Sequence, residues 1–173
     1  INSLKEVSDP DGTGKKIALS AYRYGMLKID PKQDIVFDIN SITKFEGNTG
    51  PYLMYTYARA MSIIEKAGIG VSSLESNIEL FENIEMREEE ISLLRFMCTF
   101  SRTVSLSADT MSPHLIANFL YDFGQRFNSF YGEVPVLNAE ESVKFFRLVL
   151  VYCSAQVIKN GLKLLGIDVV EKM

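Results

Sequence analysis

Histidine and cysteine are scarce in this 173-residue chain: there is one histidine, His114, and two cysteines, Cys98 and Cys153. A lone histidine without patterned cysteines gives no zinc-ligand set and no recognisable nucleophile–base signature. The two cysteines stand far apart in segments with helical, apolar character, so they suggest buried reduced thiols and neither a disulfide framework nor a Cys-x-x-Cys site. Long hydrophobic runs are missing too. No stretch of about 20 apolar residues marks a membrane span, and no basic start followed by an apolar stretch marks a secretory signal. The expectation is a cytoplasmic protein with no membrane partner. Glycine-rich phosphate loops of the Walker or dinucleotide type, βαβ patterns, internal repeats and low-complexity tracts are all absent.

An excess of positive charge is also lacking. The chain has 18 basic and 22 acidic residues, a net charge of −4, whereas ordinary nucleic-acid binders are basic. The acid is not spread evenly, however. Residues 68–111 hold 3 basic and 8 acidic side chains, a net −5, and the remainder holds 15 and 14, a net +1. An RNA partner is therefore expected to avoid the middle segment, and DNA is not an expected partner. An apolar fraction of 47% and a charged fraction of 23% suit a globular protein, and the length suits one domain with a substantial core. The chain starts at Ile1 rather than at methionine, which fits a piece of a longer protein.

What is present is helical punctuation. Residues 1–12 read as the end of a linker, with Ser8, Asp9, Pro10, Asp11 and Gly12 as turn formers, ahead of a helical domain over 13–173. A first helix is expected from about Thr13 to Leu27, stopped by Asp30-Pro31. Residues 34–46 read as an extended connection with one helical turn at Ile39–Thr43. A short helix fits Ser72–Phe81. A longer one fits Glu88 to about Ser105, its three leading glutamates reading as a solvated start that complements the helix dipole, not as a metal site. Ser112-Pro113 opens a helix to about Tyr131, with a phenylalanine-rich core face and a row of uncharged polar groups, Asn118, Tyr121, Gln125 and Asn128. Those polar groups suit orienting neighbours, capping backbone or reading base edges. The last helix is expected from about Glu140 to Leu165, capped by Gly166. It is apolar nearly all round in FFRLVLVYC, so it belongs at the centre of a bundle, and Gln156, Lys159 and Lys163 share a face near its end. The fold expected is an all-α bundle of about five helices with one extended loop region.

The most informative stretch is Phe45–Gly68, FEGNTGPYLMYTYARAMSIIEKAG. Asn48 and Thr49 are capping residues, Pro51 fits the first turn, and Gly68 suits a left-handed terminal cap. Leu53, Tyr57, Ala60, Ile64 and Ala67 fall on one face. Tyr52, Tyr55, Arg59, Ser62 and Lys66 fall on another, with Tyr52, Tyr55 and Arg59 within about 60° around the axis. Rings and cations so arranged can stack on unpaired bases and meet phosphates. Half-buried packing, with the hydroxyl at the surface, is the commoner use of such a tyrosine pair, and a protein-binding face is an alternative, since tyrosine and arginine are enriched at protein hot spots.

FEGNTGPYLMYTYAR resembles the C-terminal, DALR-type anticodon-binding domain of arginyl-tRNA synthetases, a domain of class I aminoacyl-tRNA synthetases. The resemblance extends upstream through IALSAYRYGMLKIDPKQDIVFDINS and downstream through SPHLIANFLYDFGQRFNSFY and VIKNGLKLLGIDVVEKM, so it covers most of the chain. It implies that Tyr52, Tyr55 and Arg59 face the anticodon loop, that Tyr131 ends the central helix beside them, and that Met173 matches a terminal methionine in the same region. Lys66, Asn128 and Lys163 are secondary candidates. Where some family members carry a large aromatic residue in the loop after Tyr131, this chain has Val134, Pro135 and Val136. The resemblance further implies that the partners are the anticodon stem-loop of tRNA(Arg) and a catalytic domain of the same polypeptide. ATP, with magnesium, would serve that catalytic domain. This chain carries no cofactor and none of the activating motifs, so alone it is expected to form no arginyl-adenylate. The similar domain of another tRNA synthetase is the nearest alternative.

Overall fold

The computed structural model describes residues 9–70 and 84–173. Helix α1 spans Pro10–Leu27. It starts earlier than the expected Thr13 because Asp9 caps it: the carboxylate accepts a hydrogen bond from the Gly12 N–H at 2.9 Å, and Pro10 takes the first turn. Asp-Pro here is a helix start and not a turn, by the same chemistry that opens the tyrosine helix. A single helical turn, α2 (Ile39–Ile42), interrupts the irregular connection as expected. Helix α3 spans Gly50–Ala67. The Thr49 hydroxyl accepts from the Tyr52 N–H, and Gly68 closes the helix at φ 68°.

The helix expected over Glu88–Ser105 is two helices, α4 (Glu88–Met97) and α5 (Phe100–Asp109). Local chemistry accounts for the break. The Thr99 hydroxyl donates to the Phe96 carbonyl at 2.7 Å, and the Thr99 N–H donates to the same oxygen at 3.0 Å, so side chain and backbone compete for an acceptor of the helix ladder. Cys98 sits in this break and is exposed, not buried as expected; Cys153 is half-buried, and burial pushes its thiol up. The short helix expected over Ser72–Phe81 lies outside the described residues, as do residues 1–8 of the expected linker.

Helix α6 spans His114–Glu133 and α7 spans Glu141–Leu164. The protein is therefore an all-α bundle. Among the described residues it has six helices of ten residues or more, the turn α2, and no strand. None of these helices is long and apolar enough to cross a membrane. Helix α3 packs on α1, α6 and α7, while α4 and α5 pack on α6. The core runs between α3, α6 and α7: Leu53, Met54, Tyr57, Ala60 and Ile64 meet Leu120, Phe123, Phe127 and Phe130, with Leu148, Val151, Ala155, Ile158 and Leu162 from α7. The central placement expected for the last helix holds. It approaches α6 closely at Gly161, where a Cβ would meet Leu120 at 2.6 Å.

One expectation about charge is overturned. Glu88 is exposed, but Glu90 has no exposed surface. Its carboxylate accepts from Arg147 Nε at 2.7 Å and from the Arg87 N–H at 2.6 Å. Arg147, itself 5% exposed, also donates to the Pro135 carbonyl at 2.8 Å. The third glutamate is thus half of a buried ion pair tying α4 to α7 and to the loop after α6. A buried charge needs such a partner, since the cost of desolvating it alone is several kcal/mol. We expect Arg147→Met, which strands the Glu90 charge, to lower the unfolding free energy by about 3–5 kcal/mol. Replacing Glu88 and Glu89 with glutamine should change it by less than about 1 kcal/mol. Urea titrations of the two variants check this, and similar small losses in both would contradict it.

Candidate functional site

The outer side of α3 opens onto a cavity of about 360 Å³. Its functional lining is Tyr55, Arg59 and Lys66 from α3, Tyr131 from the end of α6, and Lys172 and Met173 from the tail. Each arrives there for a local reason. Leu53, Tyr57, Ala60 and Ile64 commit one side of α3 to the core, and the helical repeat of about 100° per residue turns Tyr55, Arg59 and Lys66 away from it. Tyr55 is 47% exposed, so it is not a core residue. The tail is seated by a glycine-capped turn: Gly166 has φ 71°, its carbonyl accepts from the Arg23 guanidinium on α1, and Ile167 and Val170 are buried behind it. That anchorage brings Lys172 and Met173 back to α3, where the Lys172 ammonium lies 3.7 Å from the Glu65 carboxylate.

Arg59 does not simply project into solvent. Its guanidinium carbon lies over the Tyr131 ring, 4.8 Å from the centroid, a cation–π arrangement. Its Nη1 donates to Asn128 Oδ1 at 3.5 Å. Tyr52, expected to share the face of Tyr55, belongs instead to the seam between α3 and α6. A Cβ on Gly124 would stand 3.3 Å from its ring, it meets Tyr121 edge-on with centroids 5.8 Å apart, and its hydroxyl accepts from Asn128 Nδ2 at 2.9 Å. Burial pushes the Tyr52 phenol above its ordinary value, and the hydrogen bond from Asn128 pulls it partly back. Of the other row members, Gln125 donates to the Tyr121 hydroxyl at 3.0 Å.

The structure thus gathers Tyr55, Arg59, Tyr131, Met173 and Lys66 around one cavity. Tyr52 and Asn128 stand behind it, with the Asn128 amide reaching Arg59, and Lys163 is exposed on α7 without lining it. Lys172 was not singled out from the sequence; its only signal was its place beside Met173. Val134 and Val136 of the variant loop are buried, so these side chains serve the core. A second, mostly apolar groove of about 650 Å³ runs between the start of α1, Phe45 and Glu46, and shares Tyr55 and Met173 with the first.

The chemistry of the cavity follows from its lining. Two aromatic rings offer stacking faces, and three cations line it, Arg59, Lys66 and the Lys172 that pairs with Glu65. None of residues 84–111, the described part of the acidic segment beyond Gly70, reaches it. The arrangement suits stacking on flat bases and meeting phosphates.

A family model described as the DALR anticodon binding domain matches residues 53–173. The arginine–tRNA ligase of Clostridium botulinum (strain Alaska E43 / Type E3) is 41% identical over 169 residues, covering 97% of this chain and 29% of that protein. The solved arginyl-tRNA synthetase of Thermus thermophilus aligns with a TM-score of 0.85 at 33% identity, covering 97% of this chain and 28% of the other. That of Plasmodium falciparum aligns with a TM-score of 0.85 at 26% identity, covering 96% and 29%. The chain spans less than a third of the length of these relatives.

The two neighbouring tyrosines of α3 should separate in stability measurements. Tyr52→Ala removes a ring from the α3–α6 seam and should cost about 1–3 kcal/mol, whereas Tyr55→Ala removes a largely exposed ring and should cost less than about 1 kcal/mol. Thermal or urea unfolding of both variants checks this order, and a larger loss for Tyr55→Ala would place that ring in the core instead.

Proposed function

Because the chain belongs to the DALR anticodon-binding domain family, we propose that the cavity beside α3 binds the anticodon stem-loop of an arginine tRNA. In this proposal the chain works within an arginine–tRNA ligase, alongside a catalytic domain of the same polypeptide that uses ATP, with magnesium, to join arginine to the tRNA. In that role the protein works in the cytoplasm. The observation that carries the proposal is convergence: Tyr55, Arg59, Tyr131 and Met173, which are 118 positions apart at the extremes, line one cavity together with Lys66 and Lys172. The proposed division of labour follows from exposure and charge. The rings of Tyr55 and Tyr131 stack on unpaired bases, Arg59 and the lysines meet phosphates, and the Met173 thioether packs against a base face.

Removing a stacking ring typically costs about 1–3 kcal/mol per base. Tyr55→Ala should therefore weaken binding of the tRNA(Arg) anticodon stem-loop by roughly 5- to 150-fold while unfolding stays cooperative. Tyr55→Phe, which keeps the ring, should retain most of the affinity. Fluorescence titration with labelled stem-loops makes the measurement. A folded Tyr55→Ala chain that binds as tightly as the parent would remove this residue from the site.

A further inference from the structure

Four side chains form a continuous clasp across the α3–α6 seam, two from each helix. Tyr52 and Arg59 stand seven residues apart on α3, two helical turns, and Asn128 and Tyr131 stand three apart on α6, so each pair shares a helix face. The order of contacts is Tyr52 hydroxyl, Asn128 amide, Arg59 guanidinium, Tyr131 ring, at 2.9 Å, 3.5 Å and 4.8 Å. The chemistry fixes the sense of this chain. A guanidinium has donors and no acceptor, so only the amide oxygen of Asn128 can face Arg59. The amide nitrogen must then face Tyr52, whose hydroxyl accepts. Tyr52 itself is held by Gly124, which leaves room for its ring, and by the edge of Tyr121.

We infer that Asn128, anchored by the Tyr52 hydroxyl, is a positioning residue that holds the Arg59 guanidinium across the face of Tyr131. Neither Asn128 nor Tyr52 then touches RNA. A long, flexible arginine loses rotamer freedom when it is pinned, and an arginine already pinned in the free protein does not lose it on binding. The polar row on α6 is therefore used to orient, at least at Asn128, rather than to read base edges. The inference rests on the proposed RNA site for its consequence, but not for its geometry.

The test is a double-mutant cycle on the 173-residue chain, with a second readout that needs no RNA. Asn128→Ala should weaken stem-loop binding by about 3- to 10-fold, the size expected for one lost hydrogen bond. In an Arg59→Ala background the same change should have no further effect, within about twofold. Tyr52→Phe, which keeps the ring and removes only the hydroxyl, should reproduce part of the loss and likewise lose its effect in that background. In parallel, NMR of the free protein should show the Arg59 side-chain protons shifted by the Tyr131 ring in the parent and returned toward ordinary arginine values in Asn128→Ala. Equal losses with and without Arg59 would mean that Asn128 contacts RNA directly, and an unchanged Arg59 shift in Asn128→Ala would mean that the amide does not position it; either result overturns the inference. A parent chain that binds no stem-loop refutes the proposed function, while the Arg59 signals still decide the positioning role alone.

Discussion

The rotation of α3 about its own axis is the constraint on which the site depends, and a backbone-to-backbone contact sets it. A Cβ on Gly50 would stand 2.3 Å from the carbonyl oxygen of Ser20, so only glycine lets the first turn of α3 press against α1. The neighbouring Thr49 hydroxyl caps α3 and also donates to the Lys44 carbonyl at 2.6 Å. Asn48 is fixed from two sides: its amide lies 2.6 Å from the buried Tyr24 hydroxyl, and its carbonyl accepts from Lys28 Nζ at 2.8 Å. The Tyr24 hydroxyl also reaches the Ala117 carbonyl on α6 at 2.7 Å. These bonds hold one end of α3 against α1 and α6. Once that end is fixed, the helical repeat decides which residues enter the core, which lie in the seam and which face the cavity.

The same phase explains how an acidic chain presents a cationic surface. Electrostatic attraction acts over roughly a Debye length of 8–10 Å at moderate salt, so local lining matters more to a bound phosphate than the total charge. The lining brings Arg59, Lys66 and Lys172 together from two parts of the chain, with Glu65 offsetting the charge of Lys172. Glu88 and Glu89, on α4, belong to a helix packed on α6 that contributes nothing to this lining. The net charge of −4 thus describes solubility better than it describes the site.

Local signals were legible in the sequence because their causes are local. The Thr49 cap, the single turn at Ile39 and the left-handed glycines Gly68 and Gly166 depend on a few consecutive residues, and each stands where its chemistry placed it. So did the core face of α3 and the central position of α7. The failures share a different cause. Nothing in Glu88-Glu89-Glu90 distinguishes the third glutamate; its burial is decided by Arg147, 57 positions away. Tyr52 and Tyr55 differ by about 60° around the axis, too little for periodicity to separate a seam from an open face, and the deciding neighbour is Gly124 on another helix. The break at Cys98–Thr99 had a local cause, a threonine hydroxyl competing for a carbonyl, but the apolar pattern ran through it and concealed it.

The central claim is that the outward face of α3, the end of α6 and the tail act as one RNA-binding surface. Its most direct test is to titrate an isotope-labelled 173-residue chain with the tRNA(Arg) anticodon stem-loop and map the perturbed NMR signals. The account predicts that the largest changes gather on Tyr55, Arg59, Lys66, Tyr131, Lys172 and Met173, with α4 and α5 nearly silent. Changes centred on α4 and α5, or none at a saturating concentration of RNA, would contradict it.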